Sequence, residues 1–144
     1  MRRTTVIAAV LAVLLTSTAG ACGAGGSAAP DSGTDCVWDL QGPTITATSD
    51  TWTLVGAVRV TCVEEPQSYS HQLYAQWQST GAAWQTEDSA NSHGELPPPP
   101  LLVGVHKCRV GNWRLHWDAT GVGPDGRPGT ESVNSQEVYV HTCP

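Results

Sequence analysis

The chain contains no phenylalanine and a single methionine, and only 14% of its residues are charged. Basic side chains are scarce, seven Lys and Arg against thirteen Asp and Glu, for a formal net charge of -6. Phosphate binding needs clustered cations, so this balance excludes a nucleic-acid partner. The longest apolar run, Val6 to Leu15, has ten residues, half of the roughly twenty that a membrane-spanning helix requires. No C-x-x-C pair occurs, and none of the five histidines stands in H-x-H, H-x-x-x-H or H-E-x-x-H spacing, so the recurrent zinc patterns are missing. There is no G-x-S-x-G elbow, no calcium-loop alternation in Gly121 to Glu131, and Gly23 to Gly26 lacks the strand and helix of a phosphate cradle. No cofactor and no catalytic set is expected.

What is present points outward from the cell. Arg2 and Arg3 precede the apolar run, Thr16-Ser17-Thr18 ends it, and the small residues Ala19-Gly20-Ala21 lead to Cys22. This segment resembles a bacterial export signal. Ala19-Gly20-Ala21-Cys22 is similar to the lipobox of bacterial lipoproteins, with Ala19 where those proteins usually carry Leu. The resemblance implies a Cys22 that is acylated and an extracytoplasmic chain held to the membrane through lipid. Ala19-x-Ala21 also suits ordinary signal peptidase, which would release a secreted protein. Gly23 to Asp35 is rich in Gly, Ser and Ala with no apolar period, a spacer suited to an anchored domain. The expected organisation is a signal over 1–21, a lipidated cysteine and tether over 22–35, and a β domain over 36–144. Loss of the signal leaves five basic against thirteen acidic side chains, a net of -8.

Cysteine parity fits. Five is odd, and a lipid on Cys22 leaves Cys36, Cys62, Cys108 and Cys143 for disulfides in an oxidising compartment. Four cysteines allow three connectivities. Opposed residues of an antiparallel hairpin have a constant sum of positions. That sum favours Cys36–Cys62, centred on the turn residues Ser49-Asp50, and Cys108–Cys143, centred between Asp125 and Gly126. The second pair has the opposite parity to Trp113 and Val138, which calls for an outer-face bond or a bulge at Gly111-Asn112.

Hydrophobic alternation carries the fold reading. Thr51–Cys62 places Trp52, Leu54, Val58 and Val60 on one face. His71–Gln78 places Leu73, Ala75 and Trp77 opposite Gln72, Tyr74, Gln76 and Gln78, and Trp113–Ala119 places Trp113, Leu115 and Trp117 opposite Arg114, His116 and Asp118. Leu101–Val105 is continuously apolar and reads as a central strand; Glu137–Thr142 reads as the last one. Glu87–Pro100 and Ala119–Ser132 read as polar loops, the first ending in an extended Pro97–Pro100, the second holding the turn Gly123-Pro124-Asp125-Gly126 between the last two strands. The expected fold is all-β, a small disulfide-stabilised antiparallel sandwich. Val110-Gly111-Asn112-Trp113-Arg114-Leu115 resembles the start of the penultimate strand in immunoglobulin- and fibronectin-like domains. That resemblance implies architecture without implying an activity.

Candidate site residues follow from what this fold leaves over. Five tryptophans lie on apolar faces, while Trp84 stands in a polar segment, where an indole stacks on sugars or anchors a protein. With Glu87, Asp88 and Glu95 it forms the expected binding surface. His116 and Asp118, with His141 on the next strand, offer a three-ligand surface set whose plainer reading is solvation. Asp118 and Glu137 offer the facing carboxylates a glycosidase would need. The leading expectation is a non-enzymatic binding module, its partner an extracytoplasmic protein or glycan. The alternatives are a carbohydrate-binding or glycan-active envelope protein, or a secreted structural protein.

Overall fold

The computed structural model describes residues 36–144. The expected signal, the lipidation of Cys22 and the tether lie outside the described residues. Eight strands and no helix make up the described chain: β1 Cys36–Ala47, β2 Trp52–Cys62, β3 Ser68–Gln78, β4 Gln85–His93, β5 Leu101–Val105, β6 Gly111–Val122, β7 Pro128–Asn134 and β8 Val138–Val140. They form two antiparallel sheets, a three-stranded one in the order β1-β2-β5 and a five-stranded one in the order β4-β3-β6-β7, with β8 also paired to β6.

The alternation seen in the sequence is the alternation of burial. Trp52, Leu54, Val58 and Val60 of β2 meet Trp113, Leu115, Trp117 and Ala119 of β6, with Leu73 and Ala75 of β3 and alternate residues of β5 completing the core. Two tryptophan pairs bridge the sheets, Trp38 with Trp117 at 5.6 Å between ring centroids and Trp52 with Trp113 at 5.3 Å. Between them Leu115 fills the space that Gly56 leaves open, since a Cβ at Gly56 would fall 2.5 Å from the leucine methyls. Each such large side chain contributes about 1.5–3 kcal/mol by its burial.

Disulfides join Cys36 to Cys62 and Cys108 to Cys143. Cys36 and Cys62 are direct partners at the open end of the β1–β2 hairpin. The second bond needs no bulge at Gly111-Asn112, where the ladder with β8 is regular; Cys108 and Cys143 lie outside the strands, before β6 and after β8, where strand parity no longer applies. Along β7 the pairing with β6 runs His116↔Asn134 to Val122↔Pro128, whereas along β8 it runs Gly111↔Val140 to Trp113↔Val138. The register therefore slips by one residue within Ser135–Glu137. There the Ser135 hydroxyl accepts from the Leu115 N–H in place of a backbone carbonyl, at 2.8 Å.

Three sequence expectations are corrected. Residues 85–93 are strand β4 rather than loop; its inward positions carry Asp88, Ala90 and Ser92, too polar to show an apolar period, and its order comes from the ladder with β3. Ala119–Ser132 is mostly strand as well, the end of β6 and the start of β7 around a tight turn at Gly123–Arg127. Consequently two strands, β7 and β8, follow β6. Leu101–Val105 is an edge strand paired to β2 alone, with Leu102 71% exposed.

Candidate functional site

The structure separates the four residues expected to form one surface. Asp88 turns to the seam between β4 and β5, Glu87 to Arg109 beyond the end of β5, and Glu95 back to β4. The Asp88 carboxylate accepts from the Gly104 N–H at 2.8 Å, bonding an outward-facing amide of edge strand β5. Glu87, an extra residue in the β4 ladder between Asp88 and Thr86, pairs with Arg109 at 2.7 Å. Glu95 accepts from the Ser92 hydroxyl at 2.7 Å. These carboxylates close one side of the sandwich.

Trp84 lies instead on the outer face of the five-stranded sheet, half-buried, with the Arg114 guanidinium 4.1 Å above its ring centroid. It is carried there by the β3–β4 turn, where Gly81 adopts φ +76°. Arg114 donates from Nε to the Gln76 side chain at 2.9 Å, and burial lowers its pKa while Glu137 opposes the shift. Two residues along β6, His116 stacks on Tyr74 at 5.6 Å between centroids and joins Asn134 at 2.9 Å and Asp118 at 3.1 Å. Tyr74 and His116 are direct partners across the β3–β6 ladder, as are Gln76 with Arg114 and Gln72 with Asp118. Beyond Gln72 and Asp118 the face ends in a hollow of about 130 Å³, which Ser70, His93 and Thr120 help to line. The face thus carries two laterally joined groups of planar side chains lying next to each other along β3 and β6, Trp84 with Arg114 and Gln76, and Tyr74 with His116, Asn134 and Asp118.

The two other arrangements foreseen are not formed. Glu137 precedes Val138, which pairs with Trp113, so it stands beside Arg114 and four positions from Asp118. That is about 13 Å along the strand, too far for either glycosidase carboxylate spacing. His141 follows Val140, the partner of Gly111, and packs on Tyr139 at 4.7 Å, six positions along the strand from His116. Among the described residues no group of three or more His, Cys, Asp or Glu is placed to hold a metal ion.

Two interior polar groups were not foreseen. His71 is 2% exposed beneath the core face of β3. Its Nδ1 accepts from the Trp117 indole at 3.3 Å, which assigns the proton of the neutral ring to Nε2. Burial lowers the His71 pKa, against the opposing pull of the Pro99 carbonyl and Glu95. The Pro99 carbonyl faces the ring, yet Nε2 has no partner with hydrogen-bond geometry. At the end where the domain begins, a crevice of about 20 Å³ is lined by Cys36, Trp38, Tyr69, Trp117 and Glu131, the size of one water molecule. The buried Trp38 Nε1 has no partner, and burial with the charge of Glu131 raises the Tyr69 pKa. The crevice has no room for a larger ligand.

No family model, no curated protein and no solved structure matches the chain.

Gln72, Tyr74, Gln76, Arg114, His116 and Asp118 were legible as outward residues of two strands. That the strands are neighbours was not, because β4 and β5 lie between them in sequence. Trp84 joins them through its contact with Arg114, and Asn134 through β7, a strand with Val133 as its one large apolar side chain.

Proposed function

We propose that the chain is a membrane-anchored extracytoplasmic lipoprotein presenting a non-enzymatic binding module, with the outer face of the five-stranded sheet as its binding surface. The observation that carries this reading is the preordered row Trp84–Arg114–Gln76 and Tyr74–His116–Asn134. Side chains already held in place lose little freedom on binding, so more of their contact energy appears as affinity. The strand order, β1-β2-β5 against β4-β3-β6-β7, supports an immunoglobulin-like assignment, an architecture that hosts binding by surface variation.

The direction of the chain adds support. Cys36 borders the same crevice as Gly121, whereas Trp84 lies over Arg114, seven positions away along β6 and about 23 Å distant. A domain tethered through Cys22 and the residues after it holds the Trp84 end away from the membrane. Replacing Cys22 with Ala is expected to move the protein from the membrane fraction to the medium; unchanged membrane association refutes the anchor. For the binding face, a photo-cross-linker at Ser89, beside Tyr74 in β4, is expected to capture a cell-envelope component on intact cells. The same cross-linker at Thr61, on the other sheet, is expected to capture none, and equal capture from both refutes the assignment.

A further inference from the structure

We infer that the outer face of the five-stranded sheet binds a neutral, linear glycan, laid along β3 and β6 from Trp84 to the hollow beside Asp118. This rests on reading that face as the binding surface. Three observations select the ligand class. First, the face carries charges of both signs and no run of either: Arg114 lies between Glu137 beside it and Asp118 four positions along β6, and the other neighbouring side chains are His116, Tyr74, amides and hydroxyls. A polyanion or polycation gains nothing there. Second, its bonding groups are planar and present donor and acceptor together, as in Gln72, Gln76 and Asn134, the geometry that matches vicinal sugar hydroxyls. Third, the two ring systems, Trp84 and Tyr74, are separated along the sheet by the two-residue step from Arg114 to His116, about 6.6 Å. They offer two successive surfaces on which the C–H faces of sugars stack, with no deep pocket between them. A protein partner would seek a buried apolar anchor point, whereas Trp84 and Tyr74 each carry a polar side chain, Arg114 or His116, on one face of the ring. A chain of sugars needs only a ladder of such partners.

The full chain is titrated with cellohexaose, chitohexaose and, as the anionic probe, a polygalacturonate oligomer, by calorimetry and by resonance mapping. At least one of the two neutral oligomers is expected to bind with a Kd that stays constant as salt rises from about 0.05 to 0.5 M, since no ion pair is formed. Trp84→Ala and Tyr74→Ala should each weaken it about tenfold. Gln72→Ala, which removes a half-buried amide that makes no side-chain hydrogen bond, should weaken it about threefold. Leu102→Ser on the other sheet should leave it unchanged. Binding of the anionic oligomer alone, or neutral binding indifferent to all three face variants, overturns the inference. If neither neutral oligomer binds while Ser89 capture on cells still depends on Trp84, the glycan is wrong and the binding face stands. If capture is indifferent to Trp84 as well, both readings fall.

Discussion

The two sheets turn unlike outer faces to water. On the three-stranded sheet Val37, Val55 and Leu102 are 59%, 47% and 71% exposed and stand without polar neighbours bonded across them. There the side-chain hydrogen bonds are peripheral, Gln41 to Asp39 and Thr53 to His106. On the five-stranded sheet the corresponding positions carry Gln, Tyr, Arg, His and Asn, bonded or stacked from β3 through β6 to β7. Both faces obey one period of two and cover one core. β-Branched and leucine side chains on the small sheet satisfy strand propensity and need nothing further from solvent. Ordering long planar side chains costs conformational entropy, and on the large sheet that cost is met by lateral bonds which leave their outer edges free. This contrast is the ground for proposing the large face as the ligand-binding one.

The largest effect should come from removing what the two faces share. Trp117→Ala, at a residue 1% exposed, is expected to destabilise by about 3–5 kcal/mol and to abolish binding and fold together; urea denaturation measures it. Next are the disulfides, whose loops span separations of 26 and 35 residues. Removing either by paired Cys→Ser changes should cost about 3–4 kcal/mol in the chain-entropy model, and non-reducing peptide mapping should recover both links in the native chain. Opening the β4–β5 seam is a smaller break. Asp88→Ala removes the acceptor of the Gly104 N–H and is expected to cost about 1.5–3 kcal/mol, with hydrogen exchange rising at Gly104 while the Trp84 face is unaltered.

Acid should act through the interior. His71 is held below the ordinary histidine value of 6.5 by burial. The unfolded chain therefore binds this proton at a higher pH than the folded one, and stability falls as pH drops below about 6.5. The urea midpoint should decrease between pH 7.5 and pH 5, and His71→Gln should flatten the decrease; an equal slope in the variant contradicts the assignment. Smallest of all, Leu102→Ser on the small face should stay within about 0.5 kcal/mol of the native chain, whereas Gln76→Ala on the large one should cost up to about 1 kcal/mol through its bond to Arg114.

The core was legible where alternation was strong. Trp52 to Val60, Leu73 to Trp77 and Trp113 to Trp117 read correctly because large apolar residues recur at every second position. β4 and β7 were not legible: their inward positions hold Asp88, Ala90 and Ser92, and Gly129, Glu131 and Val133, which show no apolar period. Both are edge partners, ordered by hydrogen bonds to β3 and β6 rather than by burial. Leu101-Leu102-Val103 misled in the opposite sense, since an exposed Leu102 on an edge imitates a strand buried on both sides. For the candidate site, the outward faces of β3 and β6 were legible, but their pairing is a contact across some forty residues that no local pattern encodes. Glu87, Asp88 and Glu95 looked available because each is polar, and the partners that engage them appear only once the strands are assembled.

The most direct measurement sets the two faces against each other in one assay. Capture of cell-envelope material by the full chain is compared for Trp84→Ala/Tyr74→Ala and for Val55→Ser/Leu102→Ser, with circular dichroism confirming that both doubles are folded. The first double is expected to lose capture and the second to retain it. Retention by the first with loss by the second would contradict the assignment of the five-stranded face.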